Sequence, residues 1–461
     1  MKRRLVAVLA IVPLLAAGAP AAAQQPQCTT IPAGEESFEV CEDEFFVFTA
    51  NFKPWENEGV FDKYIGDPIR AQFPGVDLKF AAWGEPTRYQ DIVDAGVVPD
   101  LVLEDPRRRI DRDLEPIGWV QDMSGMIADS EIDLEQLNQA AVEQVRSRSD
   151  GGMYGVPLFV NERLLFYNKK IFDKLDVRYP EPGMTYDEAY RKAKRLTKQV
   201  GLDAYKGYLQ HPDNYLEFNQ RGLYPFLPTG SENPAPEDVK VNVTSEAWMD
   251  LGRNLERFLL IPRNIFTSVD DFAVTGKVAM AVDNLEKLHM YALNEDYIQD
   301  EDEADYREWM KNVELGVGPV PMLDRGSRTT YQPSTMAAFV PPGSDMQAKA
   351  VDIIEWLVSE QGQRTISAGG MKAVLETNEV VESFGADVPA LAEVDTSAVY
   401  WGENAVIEGY RNTEFWDIPL YMVFRQHVLL DGMTVESALT VAEQQDIPAY
   451  IKERAEAGFD W

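Results

Sequence analysis

The chain has 461 residues and a formal net charge of −34, with 77 Asp and Glu against 43 Lys and Arg. So acidic a surface repels a phosphate backbone at long range, which argues against nucleic acid as a partner. A hydrophobic content of 45% is that of a globular protein and excludes disorder, and the length exceeds what one compact core accommodates, so two large lobes or three small domains are expected.

Residues 1–23 read as a secretory signal peptide: Lys2, Arg3 and Arg4 precede an apolar stretch from Leu5 to Ala17, followed by the small residues Ala21, Ala22 and Ala23. The stretch is shorter than the roughly 20 residues that span a membrane, so a periplasmic or extracellular protein is expected. Cys28 follows Gln25, Pro26 and Gln27 rather than the small and aliphatic residues that precede a lipidated cysteine, so no lipid anchor is expected. Cys28 and Cys41 are the only cysteines, and in an oxidising compartment they are expected to form one disulfide that pins an N-terminal segment, 24–41.

Short apolar runs then alternate with helix-period segments, which points to an α/β fold class on largely parallel sheets. Strands are predicted at Phe45–Phe48, around Val76, Leu78 and Phe80, at Leu101–Leu103, at Val278–Val282 and at Met336–Val340. A helix is predicted from Thr185, a capping residue with Glu188 three positions on, through the stripe Ala189, Ala193, Leu196 and Val200. Two more follow Ser344 (Ala350, Ile353, Ile354, Leu357) and Thr434 (Val435, Ala438, Leu439, Ala442).

No phosphate-binding glycine loop, dinucleotide fingerprint, nucleophile elbow or paired-histidine motif is present. His211, His289 and His427 lie far apart and receive no role, and the acidic run Asp300–Glu303 lacks calcium-loop spacing and reads as solvated surface. No catalytic residue, metal or cofactor is expected.

Four segments resemble, in order, the extracellular solute-binding proteins of carbohydrate ABC transporters, the family 1 or maltose-binding-like type. They are YGVPLFVNERLLFYNKKIFDKLDV at 154–177, PDLVLED at 99–105, GKVAMAVDN at 276–284 and MAAFVPPGSDMQAKAVDIIEWLVSEQGQ at 336–363. The resemblance implies a periplasmic-binding-protein type II fold, two α/β lobes around a central ligand cleft. Hinge crossings are implied near Val160, Ser334 and Gly385. Lobe 1 would comprise 42–160 plus 336–385, and lobe 2 would comprise 161–335 plus 386–461.

Ligand contacts are expected from residues that carry aromatic faces or hydrogen-bonding groups at the cleft. The loop after the first strand offers Lys53, Trp55 and Glu56, and Trp83 follows the second strand. Glu104 and Arg107 stand where the family often places an aromatic and a carboxylate; a salt bridge between the two is the competing reading. Asn161 and Glu162 fall on the first crossing, Tyr224 resembles a stacking aromatic of the second lobe, and Gln332 precedes the second crossing. Asp283 and Asn284 end the AMAVDN segment, where Glu286 stands in the region of a family tryptophan. Trp401 and Trp416 complete the set.

The resemblance implies a secreted, monomeric receptor that binds a mono- or oligosaccharide and delivers it to a membrane ABC permease. Alternatives are the same fold with a polyol, glycerophosphodiester or polyamine, and a secreted glycoside hydrolase. The excess of acid should make the fold more stable in salt, because screening relieves self-repulsion; thermal melts are expected to move upward between low and high sodium chloride.

Overall fold

The computed structural model describes residues 27–33, 36–49, 58–82, 88–149, 151–210, 216, 218–227, 238–264, 271–298, 300–407 and 418–456. The strands, in chain order, are β1 Cys28–Ala33, β2 Glu36–Cys41, β3 Glu44–Thr49, β4 Asp77–Ala82, β5 Leu101–Glu104, β6 Val156–Asn161, β7 Arg163–Asn168 and β8 Lys198–Val200. They continue with β9 Asp203–Tyr205, β10 Leu209–Gln210, β11 Met280–Asn284, β12 Leu315–Pro319, β13 Thr329–Thr330, β14 Ser334–Phe339, β15 Lys372–Ala373 and β16 Glu403–Asn404.

Two sheets carry the fold, one ordered β15-β6-β14-β5-β3-β4 and the other β10-β11-β7-β12. The α/β class holds, but the sheets are mixed rather than largely parallel. Parallel pairing in them is confined to β3 with β4 and β5, and to β10 with β11. The reason is directional. Strand β6 leaves the first sheet and β14 returns to it through the same neck, so the two run antiparallel. In the second sheet β7 arrives from that neck and β12 heads back, and they are antiparallel too.

Side chains alternate across each strand. In β7, Leu164 and Phe166 face a core shared with the first sheet, while Leu165 and Tyr167 face a second core. That second core is closed by the helices Tyr186–Leu196 and Glu246–Leu259 and by the C-terminal helices from Leu420 onward. Thr185 and Glu188 form the expected capping box. The helix ends at Leu196, short of Val200, because Lys198–Val200 pairs with Asp203–Tyr205 as a small hairpin. The helix after Ser344 spans Gln347–Val358 and buries Ala350, Ile353, Ile354 and Leu357. Thr434 caps the helix Val435–Val441, and the run Asp300–Glu303 opens the helix Asp300–Met310.

Cys28 and Cys41 are bonded, as directly opposed residues of the β1–β2 hairpin. The hairpin is packed onto the first sheet by Ile31, which is fully buried, and by Phe38, whose ring centroid lies 6.1 Å from that of Phe46.

His427 joins two C-terminal helical segments, with Nδ1 2.8 Å from Asp431 and Nε2 2.8 Å from Asp446. Burial alone would lower its pKa, but the hydrogen bonds to Asp446 and Asp431 outweigh that and raise it above 6.5. The stabilisation is therefore complete below the unfolded value and fades as pH rises through the folded value. Melting temperature is expected to fall over that window in the wild type, and the slope should flatten in His427→Gln.

Candidate functional site

The site grows from the neck between the sheets. A single residue, Glu162, separates β6 from β7, and it is 2% exposed. A carboxylate buried this deeply needs partners. Its Oε2 accepts from Lys372 Nζ at 3.0 Å and from Asn404 Nδ2 at 2.6 Å, and its Oε1 accepts from the Arg163 amide at 2.8 Å. Lys372, in β15, is fully buried. Burial would strip its charge, but Glu162 and Glu376 more than offset this and push its pKa up. Asn404, in β16, also donates to the Tyr331 carbonyl at 3.0 Å, between β13 and β14. Two distant stretches of chain thus meet on one carboxylate, and Asn404 ties a third to it.

Gly385 is held apart from this point, its amide donating to Ser367 O, and the chain that follows packs Val388, Leu391 and Val399 into the first core. It is β16 that reaches Glu162.

Arg163 opens β7 and is 1% exposed. Its Nη1 donates to Gln332 O at 3.0 Å, which links the first and second crossings. Burial, followed by repulsion from Arg107, lowers its pKa to about 10, so it remains protonated at neutral pH. The Arg163 and Arg107 guanidiniums lie 4.6 and 4.5 Å from the centroid of Phe218, which brings an aromatic of the second core against a cation from the far side of the neck.

Glu104 and Arg107 do not pair. Asp105 caps the short helix Pro106–Arg109 by accepting the Arg107 amide, and it also holds the Arg107 guanidinium, Nε to Oδ1 at 3.0 Å. Glu104 is fully buried; it accepts from Tyr89 Oη at 2.6 Å and faces Arg109 Nε at 3.8 Å.

Asn161 and Glu286 are joined twice at 3.3 Å, side chain to side chain and amide to Oδ1. Burial first of all pushes the Glu286 carboxyl up. At the end of β11, Asn284 lies opposite Arg163, and Asp283 accepts the Asn284 amide at 2.8 Å. Two acceptors here, Asn284 Oδ1 and Gln332 Oε1, are buried with no hydrogen-bond partner among the described residues, although Gln332 Nε2 donates to Leu223 O at 3.2 Å. Such groups are rare and point to water or ligand.

Tyr224 is partly exposed, its hydroxyl 3.5 Å from Arg148. Trp401 lies under the Arg328 guanidinium and against Gly183, where it covers the second core. Lys53, Trp55, Glu56, Trp83, Trp416 and His211 lie outside the described residues. His289 is packed, with Nε2 2.9 Å from Gly370 O and its ring stacked on Tyr297. Among the described residues no cluster could hold a metal ion, and no helix is long and apolar enough to cross a membrane.

Sequence reading passed over Arg163, Phe218, Lys372 and Asn404. The signals for two of them were faint but real: Arg163 directly follows the crossing residue, and Lys372 is a lone cation in the apolar stretch GGMKAVL.

The profile of the bacterial extracellular solute-binding protein family matches residues 55–364. The chain belongs to this family. Three solved structures place the solute-binding protein among known folds. A sugar transporter from Rhizobium etli in an open conformation is 17% identical, with 88% of this chain and 99% of that one covered, at a TM-score of 0.64. The cyclic α-maltosyl-1,6-maltose binding protein of Arthrobacter globiformis is 17% identical over 89% and 99%, at 0.62. UgpB of Mycobacterium tuberculosis, in complex with glycerophosphocholine, is 14% identical over 90% and 99%, at 0.57. No curated protein matches the sequence.

Removing Lys372 would leave Glu162 buried and unpaired. In urea unfolding, Lys372→Met is expected to cost about 3–5 kcal/mol, and the double variant Glu162→Gln/Lys372→Met to recover much of it.

Proposed function

We propose that this solute-binding protein is the secreted receptor of an ABC importer, that it takes a mono- or oligosaccharide between its two lobes, and that it hands the ligand to a membrane permease without making or breaking a bond. The observation that carries the reading is the pair of buried acceptors, Asn284 Oδ1 and Gln332 Oε1, at the neck beside Arg163. A hydroxyl-rich solute supplies the donors that these oxygens lack, and its hydroxyl oxygens can accept from the charged and amide groups nearby.

In this reading the polar solute gives up water only when both walls contact it, so occupancy and closure are coupled. The two lobes meet at three crossings: Glu162, Tyr331–Pro333 and the stretch through β16. Asn161, Glu162, Arg163 and Gln332 form the described floor, Tyr224 contributes an aromatic edge, and Lys53, Trp55, Glu56, Trp83 and Trp416 are proposed as rim contacts. The receptor acts as a monomer. A second reading, a glycerophosphodiester, is favoured by the guanidiniums of Arg107 and Arg163, both against the Phe218 ring, and by the ligand of the Mycobacterium tuberculosis structure. The same cations weigh against a polyamine.

A ligand that binds only the folded protein raises its melting temperature. A saturable rise is expected with one of a panel of mono- and oligosaccharides. Gln332→Leu should weaken that affinity about tenfold, the loss of one buried hydrogen bond, and chromatography should recover the sugar unchanged. A rise only with glycerophosphocholine would replace the sugar by the second reading; turnover of the sugar, or silence across the panel, would end the receptor reading.

A further inference from the structure

Away from the neck, the chain between Asp176 and Met184 and one face of the helix Tyr186–Leu196 enclose a hollow of ≈ 580 Å³. Its lining includes Arg178, Arg191, Lys192, Arg195 and Arg325, against the carboxylates of Asp176, Glu181 and Glu188. On a chain with 77 acidic and 43 basic residues, a concavity with an excess of cations runs against the general field.

These cations are poorly compensated by the fold. Glu188 is engaged by Arg325 at 2.9 Å and by the Thr185 amide, also at 2.9 Å. Asp187, four residues before Arg191 on the helix, is hydrogen-bonded by Arg257 rather than by Arg191. Lys192 and Arg195 donate only to the backbone carbonyls of Arg178, Tyr179 and Asp176. Arg178 and Arg191 donate to no group among the described residues. Arg191 and Arg195 are four apart on one helix, where like charges repel. Burial first, and after it the charge of Arg178, lowers the pKa of Lys192, while Glu181 and Glu188 act in the opposite sense.

We propose that this hollow binds a phosphate-type dianion. Four of the five cations are arginine, whose planar fork matches tetrahedral and planar oxyanions in a bidentate manner. The surplus over the three carboxylates is two charges, which a dianion neutralises and a single carboxylate does not. The volume lies within the range of small-molecule sites. The phosphate can come from a free anion or from a lipid whose headgroup is a phosphomonoester. The site is separate from the neck and does not depend on which solute the receptor carries.

The test uses the full chain at low ionic strength with inorganic phosphate as probe, read by ³¹P line broadening and by thermal shift. Sodium acetate at equal ionic strength serves as the control. A parallel arm sediments the protein with phosphatidic acid or phosphatidylcholine vesicles. Saturable phosphate binding is expected, with acetate inert, and Arg178→Ala/Arg191→Ala should weaken it at least about tenfold. That variant removes no hydrogen bond of the fold. Arg253→Ala, a surface arginine paired elsewhere with Glu246, should leave the binding unchanged. Binding to phosphatidic acid vesicles alone, lost in the same double variant, supports the site with a lipid phosphomonoester as its source. Binding that survives the double variant, an equal response to acetate, or no binding in either arm overturns the proposal.

Discussion

The fold depends on one buried ion pair. Glu162 is the single residue between the strand that leaves the first sheet and the strand that enters the second, and Lys372 meets it from β15 with no exposure of its own. Taking both charges out of water is costly, and the pair is tolerable only because Asn404 and the Arg163 amide occupy the remaining positions around the carboxylate. The return is geometric. Asn404 ties β16 to Glu162 and to the Tyr331 carbonyl, so the three stretches that join the sheets are held at one point.

The antiparallel pairing in both sheets follows from the same constraint. Chain that leaves through a neck and returns through it must run in opposite directions on either side, which sets β6 against β14 and β7 against β12. The polar floor follows as well. The ends of β6, β7 and β11 converge at the neck, and their terminal residues, Asn161, Arg163 and Asn284, are collected there. Most polar groups there are satisfied by one another. The two acceptors without partners among the described residues are therefore informative, since a buried carbonyl oxygen without a donor costs free energy unless something else supplies one.

The distribution of charge has two scales. At long range the molecule is an anion, which sets its solubility and its repulsion from nucleic acid. At short range the arginines decide the chemistry: Arg107 and Arg163 press on Phe218 near the neck, and a separate group lines the hollow beside the helix Tyr186–Leu196. Net charge speaks to neither, because screening confines each effect to its own neighbourhood.

The α/β class, the disulfide, the capped helix at Thr185 and the buried stripes after Ser344 and Thr434 were legible in the sequence, since each rests on contacts within a few residues or on periodicity. The family could be read from four short segments in order, and Asn161 and Glu162 could be placed at the crossing. The partners could not. Lys372 and Asn404 are 210 and 242 residues from Glu162, and Phe218 is met by two arginines from different elements. Glu104 and Arg107 could be taken for a pair on spacing alone, until the fold turned one toward Tyr89 and Arg109 and the other toward Asp105. Local propensity and hydrophobic period belong to the chain itself; which buried charge meets which is settled only when the sheets assemble, because desolvation makes every polar group find the partner that packing brings within reach.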